Sequence, residues 1–393
     1  MTKPLTIAVI GAGIGGSAAA LSLLRAGFAV ELFEQAERFG EIGAGIQISP
    51  NASRILHRLV PESALTARAV RPIAVHQRRW EDGRTLQRAP LGEAIAAAYG
   101  APYYHFHRAD LLTALAEALP KERVHFGHRL AGFAERGDGV VARFANGTEI
   151  AADLLIGADG IRSAVRQQLF GADAPRFTGC IAYRGLVPFE RVAPLGVEVV
   201  SGNWMGPRRH FVHYVVGGGR FLNFVAVIER DAWTKESWTE PGAIADCLGA
   251  YEGWHPQVRS IMAAAPETFI WGLFDRLPLP RWSEGRVSLL GDACHPMLPF
   301  MAQGAAMAIE DGAALAACLA AGADDVPAAL RRYEAIRLPR ASRLQELSRA
   351  NKTRFHLPDG PEQLARDVAL AAHGDRSIAA TQWLYGHDAE KIE

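Results

Sequence analysis

Residues 5–34 read LTIAVIGAGIGGSAAALSLLRAGFAVELFE. Leu5 to Ile10 is a continuous apolar run, and Gly11, Gly13 and Gly16 follow it in G-x-G-x-x-G spacing. Ser17 to Arg25 has helix-forming composition, Gly27 ends it, and Val30 to Phe33 is a second apolar run closed by Glu34. Strand, tight turn, helix, strand in this order is a phosphate-binding unit. Gly11 lets the chain turn, Gly13 lets the backbone approach a pyrophosphate, and Gly16 lets the helix sit close to the strand; Gly15 lies in the same turn. The free N–H groups and positive dipole end of the helix then face the phosphates. Glu34 stands where a carboxylate takes the two hydroxyls of an adenosine ribose.

Two later segments repeat the form of an apolar strand running into a polar, glycine-containing turn: Gly157–Ser163 and Gly291–Pro296. Ligands of open α/β sheets sit at the carboxyl ends of strands, so three such ends can surround one extended ligand. Asp159 and Asp292 are carboxylates at two of them, and capping of the next helix is the competing use for each. Between these ends, residues 129–153 carry three short alternating runs punctuated by Gly137-Asp-Gly139 and Asn146-Gly147, which predicts an antiparallel meander. Residues 174–230 predict a second β region, with strands at Phe211 to Val216 and Phe221 to Ile228 joined by Gly217-Gly218-Gly219. Gly43 and Gly45 predict a loop of close approach, 72–100 strands and a linker, 243–265 one helix, Gly304 to Ala320 a long helix of small residues, and Val326 to about Ala350 further helix. The last 40 residues read as irregular at first and end in Trp383-Leu-Tyr385, which is expected to pack on the body or on a partner.

The chain has 393 residues, zero formal net charge and 21% charged residues, so nothing points to nucleic acid or an anionic membrane as partner. Cys180, Cys247, Cys294 and Cys318 are scattered without metal-ligand spacing and suit a reduced chain; no metal is expected. The apolar stretch from Leu5 to Leu24 is broken by its glycines, which argues against a signal peptide or a membrane span. A cytoplasmic protein, monomer or homodimer, is expected.

Taken together, Gly11-x-Gly13-x-x-Gly16 with Glu34, Gly157-Ala-Asp159-Gly160 with Arg162 and Ser163, and Gly291-Asp292-Ala-Cys-His295-Pro296 resemble the class A FAD-dependent aromatic hydroxylases from residue 5 to about 345. Gly43-Ala-Gly45, His107-Arg108-x-Asp110, Tyr183-Arg184-Gly185 and Met301-Ala-Gln303-Gly304-Ala305 narrow the likeness to the salicylate hydroxylase, 3-hydroxybenzoate 6-hydroxylase and 6-hydroxynicotinate 3-monooxygenase group. The resemblance implies an α/β chain: a Rossmann-like FAD-binding domain (1–72, 101–172, 280–345), an inserted, mainly antiparallel β-sheet substrate domain (73–100, 173–279) and a C-terminal helical tail (346–393). It implies bound FAD, with NADH or NADPH as a transient co-substrate, since no second G-x-G-x-x-G exists. It places Glu34 on the adenosine ribose, Arg108 and Asp292 on the ribityl–phosphate region, Asp159 near FAD and the nicotinamide route, and backbone N–H groups of Gly304 and Ala305 on the flavin pyrimidine. The implied chemistry is hydride transfer to FAD, addition of dioxygen, and transfer of one oxygen from a flavin hydroperoxide to an electron-rich ring.

Residues two apart on a strand share a face, so His210, Val212 and Tyr214 point one way and Phe211 and His213 the other. His210 and Tyr214 match a pair that the 3-hydroxybenzoate and 6-hydroxynicotinate enzymes place in the substrate pocket. His210 is therefore expected as base or phenolate partner, with Tyr214 as its hydrogen-bonding companion; a sheet histidine bonded to backbone is the competing reading. Gln47, Pro299 and Phe300 complete the expected substrate pocket. The 6-hydroxynicotinate enzymes carry histidines at the positions of Gln47 and Phe300, which favours a salicylate- or 3-hydroxybenzoate-type acid. Arg184 is either a carboxylate partner or a structural arginine. The alternatives are a 6-hydroxynicotinate-type hydroxylase, an FAD oxidase or reductase without oxygen insertion, and a non-catalytic nucleotide-binding protein; the W-x-W-x-I-P motif of a halogenase is missing.

Overall fold

The computed structural model describes residues 4–40, 44–233, 240–372 and 377–392; Gly43 lies outside them. The unit of residues 5–34 forms as read. Strand Thr6–Ile10 runs into helix Ile14–Arg25 and returns as strand Ala29–Phe33. These two strands pair in parallel within a six-stranded sheet of order Ser283–Glu284, Val287–Leu289, Leu154–Gly157, Thr6–Ile10, Ala29–Phe33, Val124–His125. All neighbours are parallel except the edge pair Ser283–Glu284 and Val287–Leu289. The meander of Leu130–Arg136, Gly139–Phe144 and Glu149–Ala152 forms a three-stranded sheet feeding the central strand.

Helix Ile14–Arg25 packs against helix Gly304–Ala321 through small residues. A Cβ on Gly312 would stand 2.6 Å from the Cα of Ala19, and one on Gly15 would stand 2.9 Å from the Cβ of Ala308. The small-residue composition is thus a packing requirement. Gly304–Ala321 is long and apolar enough to cross a membrane, yet most of it is buried inside the protein.

A second sheet has eight strands in the order Pro241–Gly242, Thr268–Asp275, Arg176–Pro188, Phe221–Glu229, Arg209–Val216, Ser201–Gly206, Ala74–Arg79, Thr85–Pro90. It is antiparallel apart from the parallel pair Ser201–Gly206 and Ala74–Arg79. One face carries Trp204, Phe211 and Phe224 into a core closed by helices Ile244–Ala250 and Pro256–Ala263. The other face looks toward the first sheet.

Three expectations need correction. The stretch 243–265 is two helices, because Gly253 adopts φ +78° and His255 caps the next helix in front of Pro256. The stretch 72–100 holds a helix, Gly92–Tyr99, after its two strands. The tail begins with an ordered helix, Pro361–Ala372, after helix Val326–Phe355 has run beyond Ala350.

Candidate active site

The three strand ends converge. Gly11 N donates to Phe33 O at 2.7 Å, Ala158 N to Ile10 O at 2.8 Å, and Leu290 N to Gly157 O at 3.0 Å. Gly11 takes φ +102°, and a Cβ there would lie 2.5 Å from Ala158 O; on Gly16 it would lie 1.8 Å from Gly11 O. On Gly13 it would meet nothing within 4 Å. The outer glycines let backbones touch, and the middle one faces open space.

That space is a cavity of about 1270 Å³ running between the two sheets, above the roughly 300–1,000 Å³ of an ordinary ligand pocket. It accommodates a dinucleotide and a small second ligand. Gly13, Gly15, Arg108, Asp159, Asp292, Gly304 and Ala305 line it, whereas Gly11, Gly16 and Glu34 stand outside the lining. Glu34 accepts from Ala12 N at 2.8 Å and from Ala36 N at 2.9 Å, which fixes its carboxylate beside the glycine turn. Asp159 accepts from Ser163 Oγ, Ala164 N and Val165 N, so it caps the following helix and still lines the cavity. Burial raises its carboxyl above the ordinary value against the pull of those bonds. Asp292 is open to the cavity. Desolvation raises its carboxyl, while His295 and Arg108 pull the other way.

The turn that carries Asp292 is anchored from below. Asp311 Oδ2 accepts from Gly291 N at 2.9 Å and lies 2.6 Å from His295 Nε2, and its other oxygen accepts from Arg337 Nε at 2.8 Å. Ala302 stands at φ +52° just before helix Gly304–Ala321. Neither that helix nor Ile14–Arg25 has a side-chain N-cap. Both N-termini therefore bring uncapped backbone donors and a positive dipole end to the cavity wall, where a pyrophosphate and an anionic ring edge belong.

The second sheet supplies the other wall. His210, Val212 and Tyr214 line the cavity, and Phe211 lies in the opposite core. His213 is buried beside a small separate recess with His76 and Arg78. Gln47, Pro299 and Phe300 line the cavity as well. Gln47 Oε1 accepts from Tyr103 Oη at 2.7 Å and from Ser201 Oγ at 2.9 Å, and its side chain also bonds Tyr214. Burial raises the Tyr214 phenol despite that bond. The ring edges of Phe300 and Phe355 pack on His210 at 4.9 and 5.2 Å. His210 Nδ1 lies 2.6 Å from His356 Nε2, and His356 Nδ1 lies 2.9 Å from Glu229 Oε1. Burial, then His356, lowers the His210 imidazole well below its ordinary value and keeps it neutral.

Of the two readings of Arg184, the structure puts it on the cavity wall, and Gln77, Asn203, Glu229 and His356 escaped the sequence reading. Arg184 stacks on Trp271 at 4.7 Å, and burial, then Arg108, lowers it to about 10. Gln77 and Asn203 pair in register on adjacent strands, and their buried side-chain oxygens have no hydrogen-bond partner among the described residues. Glu229 was within reach of sequence logic: a hairpin closed at Gly217–Gly219 sets His210 opposite Val227, with Glu229 two residues along on the same face. His356, at the end of a helix far along the chain, had no local signal.

A family model described as "FAD binding domain" matches residues 4–348, and the chain belongs to this FAD-binding family. It is 44% identical to a 3-amino-4-hydroxybenzoate 2-monooxygenase of Streptomyces platensis, over 98% of this chain and 97% of that one. It is 41% identical to a 6-hydroxynicotinate 3-monooxygenase of Pseudomonas fluorescens, over 89% and 92%. Its fold superposes on a salicylate hydroxylase–substrate complex with TM-score 0.84 and 28% identity, covering 100% and 98% of the two chains. The FAD-binding fold is therefore shown, and FAD is the cofactor that the turns, the uncapped helix ends and the cavity fit.

Proposed function

We propose that the protein is an NAD(P)H-consuming FAD monooxygenase that hydroxylates a hydroxylated aromatic acid. The observation that carries the substrate side is His210, a neutral imidazole on the cavity wall. Ionising a ring hydroxyl makes the carbons ortho and para to it nucleophilic, and His210 is placed to accept that proton. Tyr214 orients the same ring through a hydrogen bond, and Pro299 and Phe300 keep water away from it. Bound FAD supplies the redox and oxygen chemistry. Gly11–Gly16 and the Ile14–Arg25 N-terminus hold its pyrophosphate, Glu34 its adenosine ribose, Arg108 and Asp292 its ribityl–phosphate region, and Gly304 and Ala305 its pyrimidine edge; Asp159 lies near the nicotinamide route. Arg108, Arg162, Arg184 and Arg354 outnumber Asp159 and Asp292 on the lining, which favours an anionic substrate beside a diphosphate.

Among such acids, the unpartnered oxygens of Gln77 and Asn203 favour a ring that also carries a hydrogen-bond donor, such as an amino group. This supports a 3-amino-4-hydroxybenzoate-type substrate over a plain salicylate or 3-hydroxybenzoate. The test is to purify the protein with its flavin and follow NADH and NADPH oxidation with 3-amino-4-hydroxybenzoate, 3-hydroxybenzoate, salicylate and 6-hydroxynicotinate, weighing the products. Stimulated oxidation and gain of one oxygen are expected, strongest with the amino acid. Flavin reduction that ignores every ring and yields only peroxide would replace this reading with an oxidase.

A further inference from the structure

We propose that Glu229 and His356 are positioning residues that fix the tautomer of His210 and carry its proton out of the cavity, an inference that rests on the hydroxylase reading above. The two strands of one hairpin, Arg209–Val216 and Phe221–Glu229, and the distant C-cap of helix Val326–Phe355 build this row. The side chains of His210 and His356 are buried, whereas Glu229 keeps 26% of its side chain exposed. The row thus leads from the cavity wall to solvent.

The direction of each hydrogen bond follows from its outer end. A carboxylate only accepts, so the Nδ1–H of His356 donates to Glu229. A neutral imidazole then offers Nε2 as acceptor, and the Nδ1–H of His210 donates to it. His210 is left with its lone pair on Nε2, and no hydrogen bond engages that atom among the described residues. One half-buried carboxylate therefore decides which nitrogen of a distant ring is the base, as the orienting acid does for a catalytic histidine.

The surroundings hold this order. Arg208 N donates to His356 O at 3.0 Å, Glu229 N donates to Arg208 O at 3.0 Å, and Tyr251 Oη donates to His210 O at 2.7 Å. The charged groups facing the row are Glu229, Lys352, Arg208 and Arg209. Burial keeps His356 below its ordinary value although Glu229 opposes this, and the bond from His356 holds Glu229 low. The resting row is two neutral imidazoles ending in one negative charge.

When a substrate hydroxyl ionises, its proton goes to Nε2 of His210. The Nδ1 proton of His210 passes to Nε2 of His356, and the Nδ1 proton of His356 passes to the Glu229 carboxylate. Phenol plus carboxylate becomes phenolate plus carboxylic acid, and net charge is conserved. The proton returns along the same row when the product hydroxyl re-forms.

The experiment has two arms on the flavin-loaded enzyme. In the first, 15N NMR of the histidine rings in the resting protein should report His210 and His356 both protonated at Nδ1; an Nε2–H tautomer at His210 overturns the proposal without any variant. In the second, His356→Gln and Glu229→Gln are assayed with the stimulating acid from the panel. His356→Gln keeps an acceptor for His210 but stops transfer. Its kcat should fall about 100-fold at neutral pH, with KM and flavin content near wild type. The deficit should close above the pKa of the substrate hydroxyl, where the ring arrives already ionised. A deficit that stays constant across pH, or none at all, overturns the relay. If no acid in the panel stimulates oxidation, the hydroxylase reading falls, while the NMR arm still judges the row by itself.

Discussion

His210 owes its chemistry to its surroundings. Free imidazole titrates near 6.5, but burial and the neighbouring His356 keep this ring neutral far below that. The acid limb of kcat/KM should therefore lie below pH 6.5, and a limb at or above 6.5 would show that the base is another group. The stability sign follows. An unfolded His210 gains a proton near 6.5 and the folded one does not, so acidification below that value favours unfolding. Replacing the ring, in His210→Asn, should leave flavin bound, lower hydroxylation about 100-fold and raise peroxide formed per NAD(P)H oxidised. Unchanged rate and coupling would remove His210 from the mechanism. The glycines of the first turn give a paired prediction. Gly16→Ala puts a methyl group 1.8 Å from Gly11 O and should cost the folded protein. Gly13→Val points into open space, so it should fold with a near-wild-type melting temperature but purify with much less flavin absorbance.

At the scale of elements, the helix pair Gly304–Ala321 and Val326–Phe355 is fastened by ions rather than by apolar contact alone. Arg337 is fully buried between Glu310, at 2.5 Å, and Asp311, at 2.8 Å. Removing one partner of a buried network leaves charge without compensation. Arg337→Met should thus lose about 3–5 kcal/mol in urea unfolding. A change under 1 kcal/mol would mean that Arg340, which also bonds Glu310, suffices. Burial pushes the Asp311 carboxyl up, but His295 and Arg337 beside it outweigh this and hold it down to about 2 against an ordinary 3.8. Its contribution is complete above about pH 4 and is lost as pH falls toward 2. Because Asp311 also anchors Gly291 and His295, the same substitution should loosen the turn that presents Asp292. Part of this was legible: the Gly291–Pro296 turn and the small-residue helix stand out in sequence. The clamp did not, since nothing local pairs an arginine with two acids across a loop.

For the molecule as a whole, the C-terminal tail closes one side of the cavity. Trp383-Leu-Tyr385 packs on the body: Arg340 donates to the carbonyls of Trp383 and Leu384, Arg343 stacks on Trp383 at 4.0 Å, and Tyr385 meets Tyr99 and Tyr103 edge-on. Leu384 and Tyr385 line the cavity. Excluding water protects reactive oxygen chemistry from side reactions. Truncation before residue 377 should therefore preserve NAD(P)H oxidation while a larger share of it ends as peroxide; unaltered coupling would show that the tail is dispensable for closure. Helix Pro361–Ala372 shows why this region read as irregular. It buries Gln363, Arg366 and Asp367 beside Leu370 and exposes Leu364 and Val368, so its apolar residues do not mark its buried face.

The sequence by itself determined the phosphate-binding unit of residues 5–34, the two further strand-end turns, and the shared face of His210, Val212 and Tyr214. Each of these depends on neighbours within a few residues: glycine torsions, a strand period of two, a helix start. Only the tertiary structure decided that His356 and Glu229 stand in line behind His210, that Gln77 and Asn203 lie side by side on the cavity wall, and that Asp311 and Arg337 hold the Asp292 turn. Apart from the hairpin that sets Glu229 near His210, those meetings join elements with no local pairing signal between them. They are set by how two sheets and a long helix pack, which no local spacing encodes.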